Sequence, residues 1–462
     1  MKLNIPITVP ACAILLAAFA AAIVHADENH KHHHAGDQAA SQEITNNDPV
    51  PPDPPLRWFR GNIHTHTLWS DGNDFPEMIA EWYRTHDYNF LALSDHNVLS
   101  EGQRWMKHSD IARRGGKDAL SKYQARFGGG WVETRGEEGT ASHEVRLKPL
   151  NEFRALVEQR GQFIMIQGEE ITDSAEGKPV HLNATNIKDV IKPLGGRTVR
   201  EAIEANLRAV DEQAKKEGRE ILLHINHPNF GYAITAEDMA AVVQERFFEV
   251  YNGHTGVKHQ GDHHHPSVER LWDIANTIRL GQLDAPPLFG VATDDSHNYH
   301  GKTGSIMGRG WIQVQARYLT PEHLIRAIKA GDFYASSGVV LNEIAFDAGE
   351  GTLTIDIAAE EGIEYTTDFI GTPVDYDKKS EPRVDDKGKE IRATRKYAPE
   401  VGKILATVKG PQPQYKLTGE ELYVRAVITS SHHHPKPSFD HQHEQAWTQP
   451  VGWRKRLEGE AE

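Results

Sequence analysis

The sequence predicts an α/β protein: a barrel of about seven strand–helix units, followed by a smaller all-β, sandwich-like part at the C-terminus. Two patterns carry this prediction. From Trp58 to about residue 340, short apolar runs alternate with amphipathic segments, which is typical of a mainly parallel sheet covered by helices. After Gly338, short alternating or β-branched runs are separated by glycine, proline and aspartate, which is typical of a β-sandwich.

The larger part contains seven predicted strands and five predicted helices. The strand candidates are residues 60–67, 90–95, 163–171, 180–186, 221–227, 247–252 and 288–293. The helix candidates are residues 76–86, 151–159, 198–216, 267–279 and 321–329. Thr320 and Pro321 open the last helix with a capping residue and a proline at the first helical position. Residues 98–148 break the rhythm with glycines and many charges, so we expect a lid or surface excursion beside the site.

Composition narrows the class of protein. A chain of 462 residues is too long for one compact core and suits two or three domains. The fractions of 38% hydrophobic and 25% charged residues indicate a globular chain rather than a disordered one. A net charge of −15 without a long basic run argues against non-specific binding to duplex nucleic acid. The 27 histidines stand out, because histidine is the commonest metal ligand.

The N-terminus has the pattern of a secretory signal peptide. Lys2 precedes an apolar run over residues 11–24, and small residues lead to a predicted cleavage site after Ala26. The run is shorter than the roughly 20 residues that a membrane span needs, so we expect a secreted or periplasmic protein without a membrane span. The predicted organisation is a signal peptide (1–26), a His/Pro-rich linker (27–57), a barrel (58–340, with the insertion 98–148), a sandwich-like domain (341–453) and a charged tail (454–462).

The first strand carries the clearest candidate site. His64 and His66 are two residues apart, so on a strand both side chains point to the same face. At the C-terminal end of a barrel strand, that face borders the catalytic mouth. Asp71 and Gly72 follow as a turn and would add a carboxylate oxygen beside the two imidazoles.

The same chemistry recurs along the barrel, where six predicted strands end in histidine, aspartate or glutamate. These residues are His64 and His66; Asp95 and His96; Glu169 and Glu170; His181; His224 and His227; and Asp294, Asp295 and His297. Because barrel chemistry collects at these strand ends, the sequence predicts one metal centre there. Asp95, Asp294 and Glu169 stand beside predicted ligands, and would either orient those ligands or be solvated surface carboxylates.

Taken together, these motifs resemble those of the polymerase-and-histidinol-phosphatase (PHP) superfamily. The matching motifs are His64-Thr-His66, Ser70-Asp71-Gly72, Ser94-Asp95-His96, Gly168-Glu-Glu170, Asn226-His227-Pro228 and Asp295-Ser-His297. Further motifs at Gly168–Thr172, His181–Asn183 and Glu249–Gly253 resemble the carbaryl-hydrolase-like branch. The resemblance covers about residues 58–340. It implies a distorted (β/α)7 barrel that holds three metal ions and hydrolyses phosphate esters.

The resemblance also implies a ligand for each position. The first metal would take His64, His66, Glu170 and Asp295; Glu170 would bridge to a second metal held by His181 and His227; and Asp71, His96 and His297 would hold the third. We expect Glu170, Asp295 and His227 to be essential for catalysis. Imidazole and carboxylate ligands suit zinc, manganese(II) or iron(II) equally well.

The leading hypothesis is an exported hydrolase with three divalent metal ions that uses a metal-bridging hydroxide on small phosphate esters or nucleotides. The same site could instead hydrolyse carbamates or carboxylic esters. A third hypothesis is a non-catalytic metal-binding scaffold with a glycan-binding β domain. The sequence has no glycine-rich phosphate loop or dinucleotide fingerprint, which disfavours a nucleotide cofactor.

Overall fold

A computed structural model describes residues 53–301 and 303–457. The predicted signal peptide, nearly all of the predicted linker and the last residues of the predicted tail lie outside the described residues. The described residues belong to one compact unit. They include no helix with the length and apolarity that crossing a membrane requires.

The described residues form twenty-one strands and nine helices in chain order. The strands are β1 (Arg57–Asn62), β2 (Phe90–Leu93), β3 (Arg104–Lys107), β4 (Thr134–Arg135), β5 (Glu144–Leu147), β6 (Ile164–Ala175), β7 (Lys178–Thr185), β8 (Leu222–Ile225), β9 (Phe247–Asn252), β10 (Phe289–Thr293), β11 (Trp311–Ala316), β12 (Phe333–Ser336), β13 (Leu341–Asp347), β14 (Thr352–Ile357), β15 (Tyr365–Pro373), β16 (Ser380–Glu381), β17 (Lys396–Tyr397), β18 (Lys403–Lys409), β19 (Gln414–Lys416), β20 (Glu421–His433) and β21 (His443–Trp447). The helices are α1 (Pro76–Thr85), α2 (His108–Gly115), α3 (Ala119–Phe127), α4 (Leu150–Val157), α5 (Val199–Glu217), α6 (Ala236–Ala241), α7 (Val268–Gln282), α8 (Pro321–Ala330) and α9 (Arg454–Leu457).

One mixed sheet of thirteen strands dominates the α/β fold, in the order β10-β9-β8-β7-β6-β2-β1-β11-β12-β21-β20-β15-β18. Two runs are parallel, β1-β2-β6 and β8-β9-β10. An isolated bridge between Thr65 and Ser296 joins the segments that follow β1 and β10, and so brings the two runs together at their C-terminal ends. The closed barrel stays a prediction.

The prediction of a mainly parallel sheet is wrong at β7, which runs antiparallel to both neighbours. β6 and β7 form a hairpin whose two turn residues, Glu176 and Gly177, have φ values of 53° and 71°. Two residues with positive φ are the mark of a tight hairpin turn. The connection is also too short for the crossover that parallel strands need.

The helices begin where the sequence places capping residues. The Thr320 side chain accepts a hydrogen bond from the backbone N–H of His323, and Pro321 occupies the first turn of α8. Thr198 accepts in the same way from the N–H of Glu201 at the start of α5. These caps satisfy N–H groups that have no partner inside the helix, so they set the helix starts.

The predicted excursion 98–148 has secondary structure of its own. β3, β5 and β4 form a small antiparallel sheet, and α2 and α3 pack beside it. Its buried side chains form one hydrophobic cluster with residues 68–75, which include the predicted ligand Asp71. The insertion therefore supports the turn that carries this ligand.

The regular secondary structure of the C-terminal part consists of strands, apart from the four-residue helix α9. β13, β14 and β19 form a separate three-stranded sheet. Their buried side chains share one hydrophobic cluster with those of β15 and β20. β21, β20, β15 and β18 continue the large sheet beyond β12, so the division at residue 340 into two domains stays a prediction.

Candidate metal centre

The structure brings the nine predicted ligands together at one end of the parallel strands. Glu170 and His181 lie within β6 and β7, and the other seven lie in the segments that follow β1, β2, β8 and β10. His64 and His66 were predicted on the first strand, but β1 ends at Asn62. Their backbone still alternates, because Thr65 between them pairs with Ser296, so both imidazoles face the cluster.

The first group of ligands consists of His64, His66, Glu170 and Asp295. The two histidine Nε2 atoms are 3.1 Å apart. Oε2 of Glu170 is 3.6 Å from Nε2 of His64 and 3.3 Å from Nε2 of His66. Oδ1 of Asp295 is 3.3 and 3.2 Å from the same two nitrogens. Tetrahedral ligands about 2.1 Å from one zinc ion would be about 3.4 Å apart, so these spacings fit a single coordination sphere.

Glu170 also faces a second group. Its Oε1 atom lies 2.9 Å from Nδ1 of His181 and 3.5 Å from Nε2 of His227. The same oxygen accepts a hydrogen bond from the Asn226 side chain, 2.8 Å away. The two oxygens of this carboxylate therefore face two different groups of histidines, which is the geometry of a bridging ligand.

The third group surrounds Asp71. Oδ1 of Asp71 is 3.3 Å from Nε2 of His297 and 3.6 Å from Nδ1 of His66, and Oδ2 is 3.4 Å from Nε2 of His96. The rings of His66 and His297 stack with centroids 4.0 Å apart. The Asp71 side chain is 56% exposed, whereas His66 is fully buried. This group therefore lies at the opening of the site to solvent.

The surroundings of the two buried carboxylates, Glu170 and Asp295, fit the binding of metal ions. Oε2 of Glu170 is buried and has no hydrogen-bond partner among the described residues, yet imidazole nitrogens of His64, His66 and His96 lie 2.8–3.6 Å from it. The ion-pair partners of Glu170 and Asp295 are all histidines. Among the described residues neither carboxylate has a lysine or arginine partner, so each needs a counter-charge, which a divalent ion supplies when the surrounding histidines are neutral.

The pKa values of His66 and Glu170 are shifted in the directions that metal binding requires, whereas the neighbouring carboxylates raise the pKa values of His64, His96, His227 and His297. Burial and the neighbouring His297 lower the pKa of His66 to about 3, so this imidazole is neutral, as a metal ligand must be. Burial alone would raise the pKa of Glu170, but the surrounding histidines, led by His181 and His96, hold it well below its usual range. The carboxylate is therefore ionised at neutral pH.

Glu249 of β9 supports the ligands and was missed as a site residue by the sequence reasoning. Its Oε1 accepts a hydrogen bond from Nδ1 of His64 at 2.7 Å, which leaves the Nε2 lone pair of that histidine facing the metal position. Its Oε2 accepts from the backbone N–H of His227 and from the side chain of Asn252, both at 2.7 Å. Asn252 also donates to Asp295. A carboxylate inside a fully buried strand was the signal that could have identified it.

Asp95 orients the turn that carries two ligands. Its carboxylate accepts hydrogen bonds from the backbone N–H and hydroxyl groups of Thr67 and Ser70. Both residues lie between or beside His66 and Asp71. The alternative of a solvated surface carboxylate is wrong, because Asp95 is buried.

Asp294 and Glu169 are also buried, but they hold loops rather than ligands. Asp294 accepts from the Tyr83 hydroxyl and from three backbone N–H groups of the loop before β11. Glu169 points to the opposite face of β6 from Glu170 and accepts from the N–H of Ile191. Burial raises the pKa of Glu169 to about 8.

Two further polar residues, His254 and Arg309, lie in the segments that follow β9 and β10. Arg309 donates to the carbonyl groups of Gly253, Gly304, Lys436 and Pro437, so its guanidinium is engaged by the backbone. His254 accepts a hydrogen bond at Nδ1 from the N–H of Gly256, so its neutral ring carries the proton on Nε2. Its ring centroid is 5.7 Å from that of the predicted ligand His297.

Comparison with known proteins gives a limited result. No protein-family model matches the chain, and no curated protein matches it. One similar solved structure is a two-domain protein from Bacteroides vulgatus that contains a predicted PHP-like metal-dependent phosphoesterase. Its sequence is 13% identical to this chain, and the match covers 87% of this chain and 97% of that one. The TM-score of the two structures is 0.36. Another is a predicted metal-dependent phosphoesterase from Bifidobacterium adolescentis, with 15% identity, 54% and 92% coverage and a TM-score of 0.27. Because both TM-scores are below 0.5, neither likeness carries an argument about what this chain does.

Proposed function

We propose that the chain is a metal-dependent phosphoesterase of the PHP superfamily that holds three divalent ions. The observation that carries the proposal is the Glu170 carboxylate, whose two oxygens face separate groups of histidines. Two ion positions that share one carboxylate suit phosphoryl transfer, because such a pair stabilises both the attacking and the leaving oxygen. The assignment to the carbaryl-hydrolase-like branch rests on the sequence motifs alone.

Each part of the site has a role in this proposal. When bound, the divalent ions polarise the ester oxygens and lower the pKa of a water molecule towards neutrality. Glu170 and Asp295 stay ionised and offset the charge of the ions. Glu249 keeps the proton of His64 on Nδ1, away from the centre. His254, with its proton on Nε2, is placed to donate a hydrogen bond to a substrate oxygen.

The direct test is hydrolysis by the purified protein after loading with zinc, manganese(II) or iron(II). Chromogenic phosphate monoesters and diesters would be compared with a carbamate and a carboxylic ester that release the same phenol. We expect phosphate esters to be turned over fastest, and a chelator to abolish that activity. Faster turnover of the carbamate or carboxylic ester would favour the alternative hydrolase. Full metal content with no turnover of any ester would favour a binding scaffold.

We also propose that the protein is exported, on the basis of the charge-then-apolar pattern over residues 1–26. N-terminal sequencing of protein expressed with its own leader tests this proposal. A mature N-terminus at Asp27 is the expected result, and one at Met1 would contradict it.

A further inference from the structure

A second cluster of metal-ligating side chains lies outside the centre described above. His263 and His264 belong to the loop after β9, and Asp386 lies in the turn between β16 and β17. One ligand atom from each of the three lies within 4.8 Å of the other two. Nε2 of His264 is 3.4 Å from Oδ1 of Asp386, and the two histidine rings are 4.9 Å apart. We propose that these residues bind a further divalent transition-metal ion, which ties the loop after β9 to the C-terminal part of the chain.

The histidine-bearing loop is held in shape by its own hydrogen bonds. Oδ1 of Asp262 accepts from the backbone N–H groups of His264 and His265, both at 2.8 Å. Since the loop backbone is fixed in this way, an ion would have to order only the ends of the two imidazoles. This lowers the entropic cost of binding.

The aspartate-bearing turn is fixed in the same manner. Oδ1 of Asp385 accepts from the N–H groups of Lys387 and Lys389, both at 2.9 Å. A bridge between Val384 and Glu390 closes the turn from the other side. Asp386 is therefore presented at the tip of an ordered turn, where its side chain is 87% exposed.

The third histidine of the run has a different role. Nδ1 of His265 lies 2.8 Å from Oδ1 of Asp262. Its ring stacks on Tyr232 with the centroids 3.7 Å apart and the planes nearly parallel. Tyr232 belongs to the segment after β8 that also carries the ligand His227. His265 therefore joins the loop to the segment after β8, while His263 and His264 face the C-terminal turn.

The donor set defines the class of ion. Two imidazoles and one carboxylate favour zinc and its transition-metal neighbours over magnesium or calcium, which prefer sets of oxygen ligands. Three protein ligands leave at least one position for water. Because the ligands are partly exposed, with the His264 side chain 27% accessible, the ion would exchange with solvent zinc.

The first experiment counts ions. Full-length protein with its centre loaded would be dialysed to equilibrium against zinc, and the zinc bound per chain measured by mass spectrometry for the wild type, His264→Ala and Asp386→Asn. We expect each variant to bind about one ion fewer than the wild type, with phosphatase activity unchanged. The matched control is His441→Asn, an exposed histidine with a φ of 59° that asparagine tolerates. Zinc bound by histidines elsewhere in the chain is the same in every protein compared, so it does not affect the difference. Equal zinc counts in the wild type and His264→Ala would overturn the site.

The second experiment tests whether the ion holds the loop after β9 and the C-terminal turn together. Lys387 and Lys389 are exposed in the aspartate-bearing turn, so trypsin can cut there. We expect zinc to slow this cleavage in the wild type and in His441→Asn, but not in His264→Ala or Asp386→Asn. Magnesium should have no effect in any of them. If the variants bind less zinc but zinc does not slow cleavage of the wild type, the ion site is supported. The proposed link between the loop after β9 and the C-terminal turn is then overturned.

Discussion

Two adjacent glutamates of β6, Glu169 and Glu170, lie on opposite faces of the strand and have different roles. Glu169 and Glu170 follow one another in β6, so their side chains point to opposite faces. Glu170 enters the histidine cluster and is ionised, whereas Glu169 enters an apolar layer and keeps its proton at neutral pH because its pKa is about 8. The same residue type therefore has opposite charge states at neighbouring positions.

This contrast supplies a matched pair of variants. We expect Glu170→Gln to lower turnover by more than about 100-fold and to lower the bound metal, because an amide cannot bridge two ions as a carboxylate does. Glu169→Gln should keep both turnover and metal, because glutamine resembles the protonated acid that is already there. Turnover, metal content and circular dichroism of both variants check this. Retention of more than a few per cent of activity by Glu170→Gln would remove that residue from the bridge.

A substitution of Glu249 tests whether its hydrogen bond with His64 strengthens metal binding. We expect Glu249→Gln to weaken metal affinity by about 10- to 100-fold, because the imidazole of His64 loses its charged partner. Activity measured against free metal concentration should shift to higher concentrations and recover in part at excess metal. An unchanged metal dependence would show that Glu249 does not tune the ligands.

At the scale of elements, each of the seven predicted strands and five predicted helices overlaps an element of the structure, since hydrophobic period and capping residues are local. The elements α6, β11 and β12 and those inside the insertion were not predicted. Strand direction could not be read from the sequence, because it depends on which strands pair. The eight-residue gap between the predicted strands 163–171 and 180–186 was a usable sign that β7 turns back. Which strand ends carry the predicted ligands was, by contrast, readable. Glu249 could have been noticed as a carboxylate in an apolar strand, but its role shows only in its hydrogen-bond partners.

The turn just before β9 contains a second protonated glutamate, Glu245. Its Oε1 accepts from the N–H groups of Arg246 and Phe247, and burial raises its pKa to about 8. The unfolded value is about 4.3. Between these pH values the folded state binds one more proton than the unfolded state, so stability falls as pH rises through this window.

Glu245→Gln should remove that dependence, because glutamine keeps the accepting oxygen and has no proton to lose. We expect the free energy of unfolding of the wild type, relative to the variant, to fall between about pH 4.5 and pH 8 by at most about 1.4 kcal/mol per pH unit. Urea denaturation of both proteins at pH 5, 6.5 and 8 measures the difference. A difference that does not change with pH would mean that Glu245 titrates normally.

At the scale of the whole molecule, one buried ion pair joins the helix α7 to the C-terminal strand β20. The Arg425 guanidinium donates to both carboxylate oxygens of Asp273, at 2.8 and 2.7 Å, and lies over the ring of Trp272. The Tyr423 hydroxyl donates to the same carboxylate at 2.8 Å. Both charged side chains are almost fully buried, so each depends on the other.

Breaking the ion pair between Asp273 and Arg425 should destabilise the folded protein. We expect Asp273→Asn to lower the free energy of unfolding by about 3 kcal/mol, because the buried Arg425 guanidinium loses its two-point partner and is left with the more distant carboxylate of Glu269, 3.4 Å away. The double variant Asp273→Asn with Arg425→Met should be less destabilised than the sum of the two single variants. Chemical denaturation of the wild type and the three variants forms the cycle, and additive effects would show that the pair is not coupled.

The position of β21 also constrains how the protein is made. Synthesis proceeds from the N-terminus, so β21 leaves the ribosome after every other strand of the large sheet, yet it lies inside the sheet between β12 and β20. Until it arrives, β12 and β20 each expose an unpaired edge, and such edges recruit strands from other chains. The nascent protein therefore passes through an aggregation-prone stage that ends only when its last strand closes the gap.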